Sequence, residues 1–160
     1  MDQLSLAAIE ELEKCSRGLD MVVCEQIGSW GLRIKVRELV PIVGPENPES
    51  DFVPELAARI RANMADAPKA RLFEFLWEPE CVSYFVQNET YGKYPEPPEE
   101  FSGKLFRRFS WSYLLELSKQ TSRASEDWPG PGPLQHFSIC CCNDVIDVIA
   151  CFEPVVRQLA

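Results

Sequence analysis

Histidine is almost missing from this chain: of 160 residues, only His136 carries an imidazole. Any acid-base, nucleophilic or metal mechanism that needs histidine must run through that one side chain. The paired-histidine helix of zinc proteases and the two-Cys, two-His zinc finger are both excluded. Long apolar runs are missing as well. No stretch approaches the roughly 18 uninterrupted apolar residues of a membrane span. The first residues carry Asp2, Glu10, Glu11 and Glu13, where a secretory leader is basic and then apolar. The expectation is a cytoplasmic protein with no membrane partner. Positive charge is scarce: 16 Lys and Arg stand against 25 Asp and Glu, a net charge of -9. Binding to a nucleic-acid backbone needs a clustered cationic face, so nucleic acid is not an expected ligand. Glycines occur singly or in proline-bounded turns. Neither the phosphate-binding G-x-x-x-x-G-K-[ST] loop nor a G-x-G-x-x-G fingerprint is present, and no cofactor is expected.

The seven cysteines at 15, 24, 81, 140, 141, 142 and 151 are an odd set without a repeated C-x-x-C spacing. They read as reduced thiols and not as a disulfide framework or a metal knuckle. A hydrophobic fraction of 46% with 26% charged residues is ordinary for a folded protein. The expectation is a single globular domain over residues 1–160.

Along the chain, Ala8, Leu12, Cys15 and Leu19 follow a helical period over residues 4–17, and Gly18 can end that helix. Residues 21–27 and 32–40 read as strands joined by a turn at 28–31. Leu32, Ile34 and Val36 fall on one face of the second strand, and Arg33, Lys35 and Arg37 on the other. A proline-rich loop at 41–50 precedes a helix capped by Asp51 that presents Leu56, Ala57, Ile60 and Met64. Arg71–Glu78 and Cys81–Gln87 read as a second hairpin, whose Phe73, Phe75, Trp77 row belongs to the core. Residues 88–103 form an exposed loop and 104–109 a short strand. Ser110 then caps a helix that turns Trp111, Leu114, Leu115 and Leu117 inward. Residues 122–133 join that helix to the last hairpin, with Trp128 as an apolar anchor. Strands 135–142 and 145–152 close around Asn143-Asp144. The order helix, hairpin, helix, hairpin, helix, hairpin predicts an α+β fold: an antiparallel sheet built from hairpins, with helices packed on one face.

A two-residue turn at Asn143-Asp144 sets Cys140 opposite Asp147 and His136 opposite Cys151. Phe137, Ile139 and Cys141 then share an apolar face with Ile146, Val148 and Ala150. His136 and Cys140 lie about 14 Å apart along the strand, too far to share an ion or a hydrogen bond. Together with Tyr84, the residues His136, Cys140 and Asp147 are the pocket candidates. The alternative they support is a small-molecule-binding domain or small enzyme with its pocket between sheet and helices. The stronger expectation is a non-enzymatic protein-binding module, of the inhibitor or immunity type, that neutralises a basic partner. Its contact residues are Tyr91, Tyr94, Glu96, Glu99 and Glu100, in a proline-stiffened acidic segment whose charge steers the encounter and whose tyrosines anchor it.

Overall fold

The computed structural model describes residues 2–40, 70–78, 81–88, 90, 98–121 and 132–159. The loop expected at 41–50, the helix from Asp51 to Met64 and Trp128 lie outside the described residues. The described residues form two helices and nine strands: α1 (Gln3–Glu13), β1 (Leu19–Ile27), β2 (Gly31–Glu38), β3 (Leu72–Trp77), β4 (Cys81–Asn88), β5 (Glu100–Ser102), β6 (Phe106–Trp111), α2 (Tyr113–Thr121), β7 (Gln135–Cys140), β8 (Asp144–Ala150) and β9 (Val155–Leu159).

Helix α1 starts where its sequence can satisfy a free backbone donor: the Asp2 carboxylate accepts from the Ser5 N–H at 2.7 Å. It stops at Glu13, short of the expected residue 17, and Gly18 at φ 96° makes the left-handed turn into β1. Strands β1 and β2 form the expected hairpin, with Ile27 opposite Gly31. On β2 the alternation resolves as expected, since Leu32, Ile34 and Val36 are fully buried. The cationic face is neutralised within its own sheet: Arg33 lies 3.0 Å from Glu25 and 3.5 Å from Glu74, and Lys35 lies 3.6 Å from Glu74.

Strands β3 and β4 do not form a hairpin. β3 lies between β2 and β9 in a four-stranded sheet ordered β1-β2-β3-β9, whereas β4 is the edge of a five-stranded sheet ordered β4-β8-β7-β6-β5. Every pairing in both sheets is antiparallel. The reason lies in the aromatic row of β3. Phe73, Phe75 and Trp77 must be covered by a second layer, and the facing sheet supplies it: Phe75 meets Phe106 at 5.2 Å between ring centroids, and Trp77 meets Phe137 at 6.0 Å. Ile139, Ile146, Val148, Ala150 and Val156 complete this core. The fold is mixed α and β, as expected, but its core lies between two sheets and the helices do not share one face. Helix α1 adds Ala8, Ile9 and Leu12 to the main core and packs against β9 and β6. Helix α2 instead joins Leu115 to Leu134, Ile149 and Cys151 in a separate cluster on the far side of the five-stranded sheet. Its cap is also displaced, because Ser110 and Trp111 belong to β6 and Leu117 is exposed. Residues 100–102, expected as loop, extend the sheet as β5.

Two polar contacts hold α1 against the sheets. The Glu13 carboxylate accepts from the backbone N–H groups of Lys104, Leu105 and Phe106 at 2.9–3.2 Å. Gly103, at φ 89°, makes the turn that presents them, and a side chain there would run into the Phe106 carbonyl. The Arg71 guanidinium forks onto both oxygens of Glu38 at 2.7 and 2.8 Å and donates to the Glu11 carbonyl in the last turn of α1 at 3.0 Å, where the Lys14 N–H also donates. Hydrogen bonding from Arg71 holds the Glu38 carboxyl below its ordinary value of 4.5.

Truncating Phe75→Ala should destabilise the fold by about 3–5 kcal/mol in denaturant melts, since it opens a cavity between the sheets. Glu38 stabilises the folded state while it is ionised. Its contribution is complete above the ordinary glutamate pKa and is lost as pH falls through the lowered folded value. Glu38→Gln should therefore cost about 1 kcal/mol at neutral pH, and its thermal melts should converge with those of the wild type on acidification.

Candidate functional site

The last hairpin turns through Cys141 to Asn143, between β7 and β8, and not through Asn143-Asp144. Its register sets Cys140 opposite Val145, Ser138 opposite Asp147 and His136 opposite Ile149. The expected pairs, Cys140 with Asp147 and His136 with Cys151, are both displaced by two residues. A shift of two preserves which side chains face inward, so Phe137, Ile139, Cys141, Ile146, Val148 and Ala150 are buried as the alternation requires. Backbone contacts distinguish the registers: Cys141 N–H donates to the Asp144 carbonyl at 2.8 Å, and Cys142 N–H to the Leu19 carbonyl at 2.7 Å. The second bond ties the turn to β1 in the opposite sheet.

In this register the outer face of the five-stranded sheet gathers a chain of polar groups. The Ser112 hydroxyl lies 2.7 Å from His136 Nδ1, and His136 Nε2 lies 3.1 Å from Asp147 Oδ1. The Ser138 hydroxyl donates to the same Asp147 oxygen at 2.6 Å. All donors are used when the imidazole proton is on Nε2: Ser112 O–H donates to Nδ1, and Nε2–H donates to the carboxylate. The Phe109 ring stacks on the imidazole at 4.0 Å.

Serine, histidine and aspartate in hydrogen-bonded series have the composition of a hydrolase triad. The surroundings oppose that chemistry. A nucleophilic serine must reach a substrate carbonyl, but Ser112 is 0% exposed and its oxygen accepts the Leu115 N–H at 3.0 Å as the cap of α2. His136 is 3% exposed. The chain is a saturated polar strut beneath α2. Sequence reasoning missed Ser112 because two serines flank Trp111, and only the length of β6 decides which one caps the helix.

No disulfide joins any of the seven cysteines. Burial pushes the Cys81 thiol up to about 12 and raises that of Cys141 further. Burial, then the neighbouring Glu38 carboxylate, pushes Cys15 up to about 11. These are inert cysteines that pack as small hydrophobes. Cys140 is half-buried and Cys142 exposed. Among the described residues, no three His, Cys, Asp or Glu side chains group as a metal ion would need.

Of the acidic contact residues, Tyr91, Tyr94 and Glu96 lie outside the described residues. Glu99 accepts from the Tyr113 N–H at 3.2 Å, at the start of α2, and Glu100 accepts from the Ser110 hydroxyl at 3.2 Å. Both carboxylates thus bond within the fold.

Tyr84 lies elsewhere. Strand β4 bulges at Val82, the residue its register with β8 skips. The extra residue switches the alternation, so Cys81, Tyr84 and Val86 sit opposite Ala150, Val148 and Ile146 on the inner face. Beside the start of β4 and the β1–β2 turn lies a cleft of about 390 Å³ lined by Gln26, Trp30, Leu32, Cys81, Ser83 and Tyr84, among others. No charged side chain lines it. His136 and Asp147 are on the outer face, so the four pocket candidates do not converge.

The edges of the two sheets differ in a way that bears on binding. An open edge offers unpaired backbone N–H and C=O groups, and proteins usually protect it with charge or shortness. β1 carries Asp20 and Glu25, β9 carries Arg157, and β5 is 3 residues long. β4 runs for 8 residues, Cys-Val-Ser-Tyr-Phe-Val-Gln-Asn, without one charge. Tyr84, Phe85 and Val86 on it are 40%, 49% and 45% exposed, and Trp30 beside its start is 68% exposed. The Cys81 N–H donates to the Trp30 carbonyl and joins the two features. No protein-family model, curated protein or solved structure matches this chain.

A fluorophosphonate probe of active serines should leave Ser112 unmodified in the native protein, as mass spectrometry of its peptide can establish. Ser112→Ala should instead cost about 1–2 kcal/mol of stability, through loss of the helix cap and of a partner for the buried imidazole.

Proposed function

We propose that this chain is a non-enzymatic protein-binding module that receives a basic partner at the β4 edge. The observation that carries this reading is that, among the described residues, β4 alone of the four sheet edges is both long and uncharged, with large apolar side chains exposed along it. A net charge of -9 supplies long-range attraction for a cationic protein, while the neutral edge supplies the contact. The acidic residues Glu96, Glu99 and Glu100, with Tyr91 and Tyr94, belong to the steering surface in this reading. The alternative of a small-molecule pocket has less support, because Tyr84 lines the cleft while His136 and Asp147 face away from it. The one histidine, His136, is taken up in a buried strut, which gives no support to a histidine-dependent reaction.

Immobilised protein should retain a basic protein from a native low-salt lysate. Retention should fall about tenfold or more in Phe85→Lys, which replaces an exposed apolar contact with a repulsive charge. It should also weaken as salt is raised. Equal retention by wild type and variant, or indifference to salt, would refute a charge-steered contact at this edge.

A further inference from the structure

The inference concerns what the β4 edge accepts, and it rests on the binding-module reading. We infer that the partner segment is an extended strand that pairs with β4, seats a large apolar side chain in the cleft between β1 and β4, and carries Lys or Arg on its flanks. Three features specify it.

The first is backbone. β8 occupies one side of β4 along Cys81–Asn88, so alternate N–H and C=O groups point away from it on the other. An added strand completes those bonds irrespective of its sequence. The second feature is the cleft, which opens beside that same edge. Side chains of an added strand alternate in direction, and those on the inner side face the Tyr84 and Trp30 part of the lining. An uncharged lining of this size selects an apolar or aromatic group and disfavours a charged one.

The third feature is charge. Neither the strand nor the cleft lining contains a cation, and a carboxylate lies at each end of the strand: Glu78 just before β4 and Asp144 opposite Asn88. Flanking Lys or Arg residues are attracted to these carboxylates, and a cation can also lie over the exposed Trp30 ring. The same charges argue against a second copy as occupant, because that pairing brings two chains of net charge -9 together at one edge.

The test uses the full chain and three blocked peptides at low salt, followed by amide NMR and calorimetry. The first probe is Lys-Lys-Thr-Val-Thr-Leu-Thr-Val-Thr-Lys-Lys. The second replaces every Lys with Glu, and the third carries N-methyl groups on alternate backbone nitrogens. The Lys peptide should shift the amides of residues 81–88 and slow their exchange. It should bind about tenfold or more tightly than the Glu peptide, and N-methylation should abolish the exchange protection. Tyr84→Ala should weaken binding of the Lys peptide by several fold. Equal affinity for the Lys and Glu peptides would overturn the inference, as would indifference to N-methylation. Protection of residues 81–88 through self-association without peptide would make a second copy the occupant. Retention of a basic protein that is lost in Phe85→Lys, with the amides of 81–88 unmoved by the peptide, would overturn strand addition and leave the binding-module reading standing.

Discussion

The aromatic layer between the two sheets is the contact on which the rest of this structure depends. Phe73, Phe75 and Trp77 stand on one side of β3, in one core with Ala8, Ile9 and Leu12 of α1 and the inner face of the five-stranded sheet. The five-stranded sheet covers Phe75 and Trp77 through Phe106 and Phe137, which stack with each other at 5.8 Å. Once that layer forms, β3 and β4 must part company, because each sheet needs one of them. The crossing between Trp77 and Cys81 is therefore a consequence of burial and not of turn chemistry.

Sheet-on-sheet packing leaves two sides to close. On one, α1 fills the space between β9 and β6, held by Glu13 at the β5–β6 turn and by Arg71 at its last carbonyls. On the other, the cleft lies between β4 and the β1–β2 turn. The two sides differ: polar contacts crowd the α1 side, whereas the opposite side exposes apolar side chains with no charge on the strand that bears them. Exposed apolar surface on a strand edge is costly to keep, which is why its retention carries weight for a binding role.

The Ser112, His136 and Asp147 series illustrates how little residue identity says about reactivity. The same three side chains can form a nucleophile or a strut. Here the serine oxygen caps α2, the imidazole lies under Phe109, and Asp147 takes a second bond from Ser138, so no member is left to react. Burial and saturation decide the outcome.

Alternation of apolar and polar residues was enough to identify most strands, the buried faces of β2, β3, β7 and β8, and the inertness of Cys141. Those features depend on which way a side chain points, and that parity is written in the chain itself. The acidic balance and the single histidine likewise bound the available chemistry before any fold is known. Parity cannot tell one register from another two residues away, so the partners of His136 and Cys140 awaited the Cys142 to Leu19 bond across the sheets. Nor can it say whether neighbouring strands pair with each other or face each other across a core. The β4 edge, its bulge at Val82 and the cleft beside Trp30 arise from that choice, because an edge is defined by the strand that is not there, and only tertiary packing determines which strand that is.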